Sequence, residues 1–126
     1  MTQISNIVVK NGATTPVDVT FKPYQPQSGS DVALWYLATA ETRDRWVRLT
    51  LSVRKTANKA MRHKLGFNIP YFNSEGVQVG SIPFSGEMVL PDNAPLSVIN
   101  DAAAYVSNIY GSVLIQDTLK TASPAI

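Results

Sequence analysis

The segment from residue 45 to residue 55, RWVRLTLSVRK, alternates between apolar and polar side chains with almost no interruption. The apolar positions are Val47, Leu49, Leu51 and Val53. The positions between them are basic or hydroxylated, namely Arg48, Thr50, Ser52 and Arg54. Successive side chains of a β-strand point to opposite faces of the sheet, so one face of this strand is apolar and the other is basic. The chain therefore has to build a sheet that buries one face and presents a positively charged one.

A second alternating segment, from Met61 to Pro70, follows a short basic turn at residues 56–60. The alternate positions on its apolar side are His63, Leu65, Phe67 and Ile69. Its polar parity holds Arg62, Lys64, Gly66 and Asn68. If the two segments pair as an antiparallel hairpin, the apolar rows share one face of the sheet and the polar rows share the other.

The rest of the chain predicts four more strands, over residues 4–10, 17–22, 31–38 and 81–90. Asn11-Gly12 opens the first hairpin, and residues 13–16 lengthen its loop. Residues 23–30 are rich in proline, serine and glycine and are expected to form a polar turn. Residues 73–76 are expected to connect the last two strands.

The period becomes helical after residue 90. Residues 91–95 offer a capping residue and a proline for a first helical turn. Apolar residues then recur at helical spacing, at Leu96, Ile99, Ala103, Val106 and Tyr110. Gly111 is expected to break this helix, and Val113 to Lys120 to form a second one. Strands followed by helices predict an α+β fold, with helices packed on one face of an antiparallel sheet, in a single domain spanning residues 1–126.

Composition limits the class of protein. The chain of 126 residues contains no cysteine, which excludes disulfides and thiolate metal sites. Hydrophobic residues make up 44% and charged residues 16%, which suits a protein that hides much of its surface in an oligomer. The apolar run from Val32 to Ala38 is too short to cross a bilayer, and the amino terminus lacks a secretion signal. We expect a soluble, cytoplasmic protein without a membrane partner.

The charge is segregated along the chain. Eight of the eleven basic residues lie between Arg43 and Lys64 with one acid, Asp44, whereas the remaining residues hold three basic and eight acidic side chains. Charge runs are usually solvated faces. Because these charges follow the strand periodicity, we favour a polyanionic partner whose binding depends on salt.

The residue inventory argues against an enzyme. His63 is the only histidine and lies on an apolar parity, and the nine acids are scattered. The glycines match neither a P-loop nor a dinucleotide-binding motif. Trp35 and Trp46 could stack bases, but in apolar strands they are expected to be packed. We expect no catalysis, no metal and no cofactor.

Five segments taken in order carry a resemblance to a known family. They are IVVKNG at residues 7–12, DVALW at 31–35, SVR at 52–54 followed without a gap to Pro70, EMVLP at 87–91 and SPAI at 123–126. Together they resemble the coat proteins of small positive-strand RNA bacteriophages, the levivirus-like group. The resemblance implies an amino-terminal β-hairpin, a five-stranded antiparallel sheet and two carboxy-terminal helices. It also implies an interlocked homodimer, an icosahedral shell assembled in the bacterial cytoplasm, and packaging of single-stranded genomic RNA.

The resemblance also implies a site. By resemblance, the protein binds an RNA hairpin at the replicase start site and thereby represses translation of the replicase. An unpaired adenine of that hairpin would enter a pocket formed by five residues: Val32, Thr50, Ser52, Lys64 and Gly66. Phosphate contacts fall on Arg48 and Arg54, and the same face carries Arg62 and Ser85. The chain departs from the family at four positions, where Gly66 replaces a lysine, Pro83 a stacking tyrosine, and Ser85 and Ala60 two asparagines. Its loop from Tyr71 to Gly80 is also shorter. These departures predict general RNA binding with a different hairpin operator, or none.

Two functions remain open from the sequence. The first is a capsid subunit whose dimer binds RNA and assembles into a shell. The second is a free-standing β-sheet regulator that binds RNA without forming a shell. The apolar helical stripe and the first hairpin separate the two, because a shell uses them in large subunit contacts.

Overall fold

A computed structural model describes residues 3–38 and 45–126. The chain divides into two compact units, Met1–Val89 and Leu90–Ile126. The strands in order are β1 (Ile7–Lys10), β2 (Asp18–Gln25), β3 (Ala33–Leu37), β4 (Val47–Lys55), β5 (Met61–Phe72) and β6 (Gln78–Leu90). The helices are α1 (Leu96–Tyr110) and α2 (Val113–Thr121). The predicted α+β order of strands followed by two helices is confirmed. The charged residues expected at Arg43 and Asp44 lie outside the described residues.

The strands follow one another across the sheet in sequence order, β1-β2-β3-β4-β5-β6. Strand β2 belongs to two pairings. Its first half, Asp18–Phe21, pairs with β1, and its second half, from Lys22 to Gln25, pairs with β3. The expected hairpin is therefore β1 with β2, and β2 to β6 supply the five strands of the sheet.

The loop of the first hairpin is closed by one asparagine. The backbone N–H of Asn11 donates to the carbonyl of Val17 at 2.9 Å. The side-chain oxygen of Asn11 accepts from the N–H groups of Ala13 and Val17 at 3.2 and 3.0 Å. At the strand ends, Lys10 and Asp18 form an ion pair of 2.6 Å. The Asn-Gly signal thus marks the hairpin correctly, with a loop longer than two residues.

The pairing of β4 with β5 confirms the expected alternation. Leu49 lies opposite Phe67 and Leu51 opposite Leu65, so the apolar rows share one face. The other face, which we call the polar face, carries four cross-strand pairs: Arg48 with Asn68, Thr50 with Gly66, Ser52 with Lys64, and Arg54 with Arg62.

The core of the first unit lies on the apolar face. Ala33, Trp35 and Leu49 are buried at its centre. Six partly buried side chains pack against them, namely Ile4, Ile7, Phe21, Leu51, Leu65 and Phe67. The indole N–H of Trp35 donates to the carbonyl of Ser5 at 2.7 Å, so the indole is both packed and hydrogen-bonded. The segment before β1 is thereby fixed onto the apolar face.

Several element boundaries differ from the prediction. The polar turn expected from residue 23 is wrong at its start, because Pro23 lies inside β2. The pairing of β2 with β3 shifts register between Pro23 and Gln25, and such an irregularity accommodates a residue that has no N–H to donate. Strand β6 starts at Gln78, three residues before the expected position, because β5 and β6 extend as a long hairpin around a short connection.

The helices begin and end on backbone interactions. Pro95 is the residue before α1, so it is not within the first helical turn, and no side chain caps the helix. The carbonyl of Pro95 accepts from the N–H groups of Val98 and Ile99, both at 3.1 Å. Gly111 ends α1, as expected. Within residues 3–38 and 45–126, no helix is both long enough and apolar enough to span a membrane.

Candidate nucleic-acid interface

A depression of about 450 Å³ opens on the polar face of the sheet. Its lining combines two cations, three hydroxyl groups, an amide and apolar walls: Val32, Arg48, Thr50, Ser52, Lys64, Gly66, Phe67, Asn68, Phe84 and Ser85. Seven of the nine residues that the sequence assigns to an RNA site lie in this lining. The two outside it are Arg54 and Arg62.

The depression offers both charge and hydrogen-bonding groups. The side chains of Arg48 and Lys64 are exposed, and neither has a carboxylate within ion-pairing distance among the described residues. Thr50 is half-buried, and its hydroxyl donates to the carbonyl of Gly66 in a long bond of 3.4 Å. A hydroxyl can also accept, so Thr50 and Ser52 can each serve a partner with either polarity.

Gly66 marks a close approach of β6 to the floor of the depression. A Cβ at this position would lie 3.1 Å from the backbone oxygen of Phe84 and 3.4 Å from Oγ1 of Thr50. A side chain at position 66 therefore requires the backbone of β6 or the Thr50 hydroxyl to shift by a few tenths of an ångström.

We expect Gly66→Ala to lower the free energy of unfolding by about 1 kcal/mol, because the added methyl overpacks against a backbone carbonyl. Gly86→Ala is the matched control, since a Cβ there would meet only the ring of Phe84 at 3.5 Å, which is ordinary contact. Urea unfolding of both variants measures the difference. Equal stability of the two variants would contradict the close approach at Gly66.

The two arginines outside the depression are engaged within the chain. The guanidinium of Arg54 donates to the carbonyls of Gly29 and Asp31 at 2.5 and 2.9 Å. Nε of Arg62 lies 2.5 Å from a carboxylate oxygen of Glu87 on β6. Of the four basic side chains expected to face a polyanion here, Arg48 and Lys64 are thus the two that line the depression.

Aromatic side chains lie beside Arg48 on the same face. Tyr36, which is opposite Arg48 in the pairing of β3 with β4, contacts Trp46 edge to face with centroids 5.6 Å apart. Tyr24 also contacts Tyr36 edge to face, with centroids 5.3 Å apart. The expectation that the tryptophans are packed is confirmed for Trp35, which is buried in the core, whereas Trp46 is half-buried in this cluster on the polar face.

Three lining residues were not assigned from the sequence. Asn68 could have been found, because it shares the parity of Gly66 and lies opposite Arg48. Phe67 and Phe84 belong to the apolar parity, and their rings stack with centroids 5.0 Å apart. Pro83 does not line the depression. Ala60 is buried in the turn between β4 and β5.

The described residues show no cluster of three histidine or acidic side chains that could hold a metal ion. His63 is half-buried on the apolar face and lies opposite Val53. The polar face presents cations and hydroxyl groups.

Comparison with solved structures places the fold among viral capsid proteins. The chain is similar to the virus-like particle of bacteriophage NT-214, with 23% identity, 99% of this chain and 100% of that chain covered, and a TM-score of 0.86. It is similar to the virus-like particle of Beihai levi-like virus 21, with 20% identity, 99% of each chain covered and a TM-score of 0.85. An unassembled bacteriophage coat protein dimer, described as RNA-binding, matches at 17% identity over 97% of each chain, with a TM-score of 0.65.

Sequence comparison gives the family directly. No curated protein sequence matches the chain significantly. The family model described as levivirus coat protein, however, matches residues 2–125, which is nearly the whole chain. The resemblance seen in the ordered segments is therefore confirmed. The chain belongs to the levivirus coat protein family, and its role is that of a structural capsid protein.

Proposed function

We propose that this coat protein packages single-stranded RNA by holding it against the polar face of its sheet. The observation that carries the proposal is the depression in which Arg48 and Lys64 stand beside Thr50, Ser52 and Ser85. Phosphates bind cationic side chains, and unstacked bases of RNA bind in pockets lined by hydroxyl, amide and apolar groups. One depression offers both kinds of contact.

Within this proposal each group has a defined part. Arg48 and Lys64 bind phosphates, and their contacts release counterions from the RNA. Thr50 and Ser52 hydrogen-bond the edge of one base, while Val32 contacts its ring. An adenine is one base that such a site accepts. A hairpin that presents an unpaired adenine could then serve as an operator that represses replicase translation.

We further propose that residues 1–126 form one coat subunit that acts as a homodimer and assembles into an icosahedral shell. Helix α1 supports this idea, since none of its side chains is buried in the single chain. Its exposed apolar residues include Leu96, Val98, Val106 and Ile109. Apolar surface of this extent is typical of a face that another subunit covers. The subunit would then reside in the virion after assembly in the host cytoplasm.

Negative-stain electron microscopy of the protein expressed alone tests the proposal. The same size-exclusion fraction is measured for absorbance at 260 and 280 nm. We expect uniform shells whose absorbance ratio is that of nucleoprotein. Empty shells that remain empty when RNA is added would contradict packaging. A dimer that never assembles, at any salt concentration and with added RNA, would favour the regulator that binds RNA without a shell.

A further inference from the structure

Residues 25–32, which we call the 25–32 loop, have a shape fixed by their own hydrogen bonds. Ser28 and Asp31 bond backbone to backbone in both directions, at 3.2 and 2.8 Å, with Gly29 at a positive φ of 57° between them. The side-chain amide of Gln25 donates to the carbonyl of Val32 at 3.1 Å. The loop therefore ends in a defined position at Val32, which lines the depression.

The side chain of Gln27 holds this loop against β4 by making the hydrogen bonds that a neighbouring strand would make. Strand β3 pairs with β4 only as far as the pair Ala33 and Leu51, so Val53 has no β3 residue opposite it. The side-chain oxygen of Gln27 accepts from the N–H of Val53 at 2.8 Å, and its amide donates to the carbonyl of Val53 at 2.9 Å. These are the two bonds that a neighbouring strand residue makes in a hydrogen-bonded pair.

Arg54 fastens the same loop a second time. Two nitrogens of its guanidinium donate to the carbonyls of Gly29 and Asp31, and its side chain is half-buried. A planar guanidinium holds two nitrogens in a fixed geometry, one for each acceptor, whereas a lysine has a single terminal nitrogen. Arg62 lies opposite Arg54 in the sheet and is paired with Glu87. Since like charges placed opposite each other repel, the two arginines are held on separate acceptors.

We infer that Arg54 and Gln27 are positioning residues, which hold the 25–32 loop so that Val32 forms one wall of the depression, and that Arg54 is not a phosphate contact. The inference rests on the proposed RNA binding at the depression. It reverses the role that resemblance alone implies for Arg54. Hairpin preference then depends on Arg54, whereas the electrostatic part of RNA affinity depends on Arg48 and Lys64.

Arginine-to-lysine substitution at two positions tests the inference, because lysine keeps the positive charge but lacks the two planar nitrogens of the guanidinium. The probes are an RNA hairpin with one unpaired adenine in its stem and the same hairpin without it. The control is Arg45→Lys, because Arg45 lies over the ring of Phe72 at 4.8 Å and does not line the depression; it is expected to keep both affinities. Arg54→Lys is expected to behave like Arg54→Ala and reduce the preference for the adenine hairpin by about tenfold, an effect within the range for hydrogen bonds to charged groups.

Salt dependence gives a second readout that a structural role does not change. The slope of log affinity against log salt concentration is expected to stay unchanged in Arg54→Lys and Gln27→Leu, whereas each lost phosphate contact lowers its magnitude by about 1. Gln27→Leu is expected to share the hairpin phenotype of Arg54→Lys. A different result would overturn the inference: Arg54→Lys binds both hairpins as the wild-type protein does, and Arg54→Ala reduces the magnitude of the salt slope. Arg54 would then be a phosphate contact.

A measurement without RNA keeps the inference separate from the proposed function. Hydrogen exchange of the RNA-free protein follows the N–H groups of Ser28, Asp31 and Val53, all of which are hydrogen-bonded. Faster exchange at Ser28 and Asp31 in Arg54→Lys than in the control Arg45→Lys is expected. Equal exchange in the two variants would overturn the positioning role, whether or not RNA binds. Absence of RNA binding by the wild-type protein would instead overturn the proposed function.

Discussion

Replacing Arg48 and Lys64 together by alanine is expected to lower the affinity for single-stranded RNA by about two orders of magnitude at low salt. Both side chains are exposed, line one depression and have no internal acceptor among the described ion pairs. Their contribution is therefore available to phosphates. The slope of log affinity against log salt concentration should fall in magnitude by about 2, since two phosphate contacts are lost. Filter binding or fluorescence anisotropy across a salt series measures both quantities.

The control for this variant removes the same charge elsewhere. Lys10 lies in the first hairpin, where it is paired with Asp18, and Lys120 lies near the end of α2. Lys10→Ala with Lys120→Ala changes the net charge equally but leaves the polar face intact. If this control lost as much RNA affinity as the polar-face variant, binding would reflect net charge alone, and the depression would have no special part.

Trp35→Ala is expected to lower the free energy of unfolding by about 3–5 kcal/mol, the usual cost of truncating a large buried aromatic side chain. Trp35 is 5% exposed and lies at the centre of the core with Ala33 and Leu49. The substitution also leaves the carbonyl of Ser5 without the indole N–H. Urea unfolding at a fixed protein concentration measures the loss, because subunit association contributes to the stability of an oligomer.

Trp35→Phe separates the two contributions. Phenylalanine keeps an aromatic ring in the core and removes only the donor, so a loss of about 1 kcal/mol is expected from the hydrogen bond, with a smaller packing cost. If Trp35→Ala proves too unstable to purify, the phenylalanine variant still gives a value. A Trp35→Phe variant as stable as the wild-type protein would show that the bond to Ser5 contributes nothing.

The register of β4 with β5 was predictable because alternation has a period of two and a slip by one residue would bury the arginines. The faces of Leu49, Thr50 and Phe67 follow from that rule alone. The end of β2 was not predictable in the same way. Pro23 reads as a turn residue, yet it is held in a strand by pairing with β3 and by a local shift in register.

The sequence predicts which side chains share the polar face of the sheet, but it does not predict which groups those side chains contact. Parity places Arg54 on the same face as Arg48, but it does not say which acceptor each guanidinium meets. The acceptors of Arg54 lie more than twenty residues away in sequence, at Gly29 and Asp31. Val32 and Ser85 came from the resemblance, because neither strand shows an unbroken alternation that would point to them. The need for glycine at position 66 depends on the backbone of β6.

The pairing of Arg62 with Glu87 and the engagement of Arg54 by carbonyls have a consequence for packaging capacity. Of the four cations that β4 and β5 place on the polar face, two already have partners inside the subunit. On the proposed function, each polar face offers fewer cations for direct phosphate contacts than its count of arginines and lysines suggests. The charge of Arg62 is offset by Glu87, whereas Arg54 keeps its charge because its acceptors are neutral carbonyls and so contributes to the field at the polar face without direct contact. Phosphate charge that these cations do not offset would be left to small counterions.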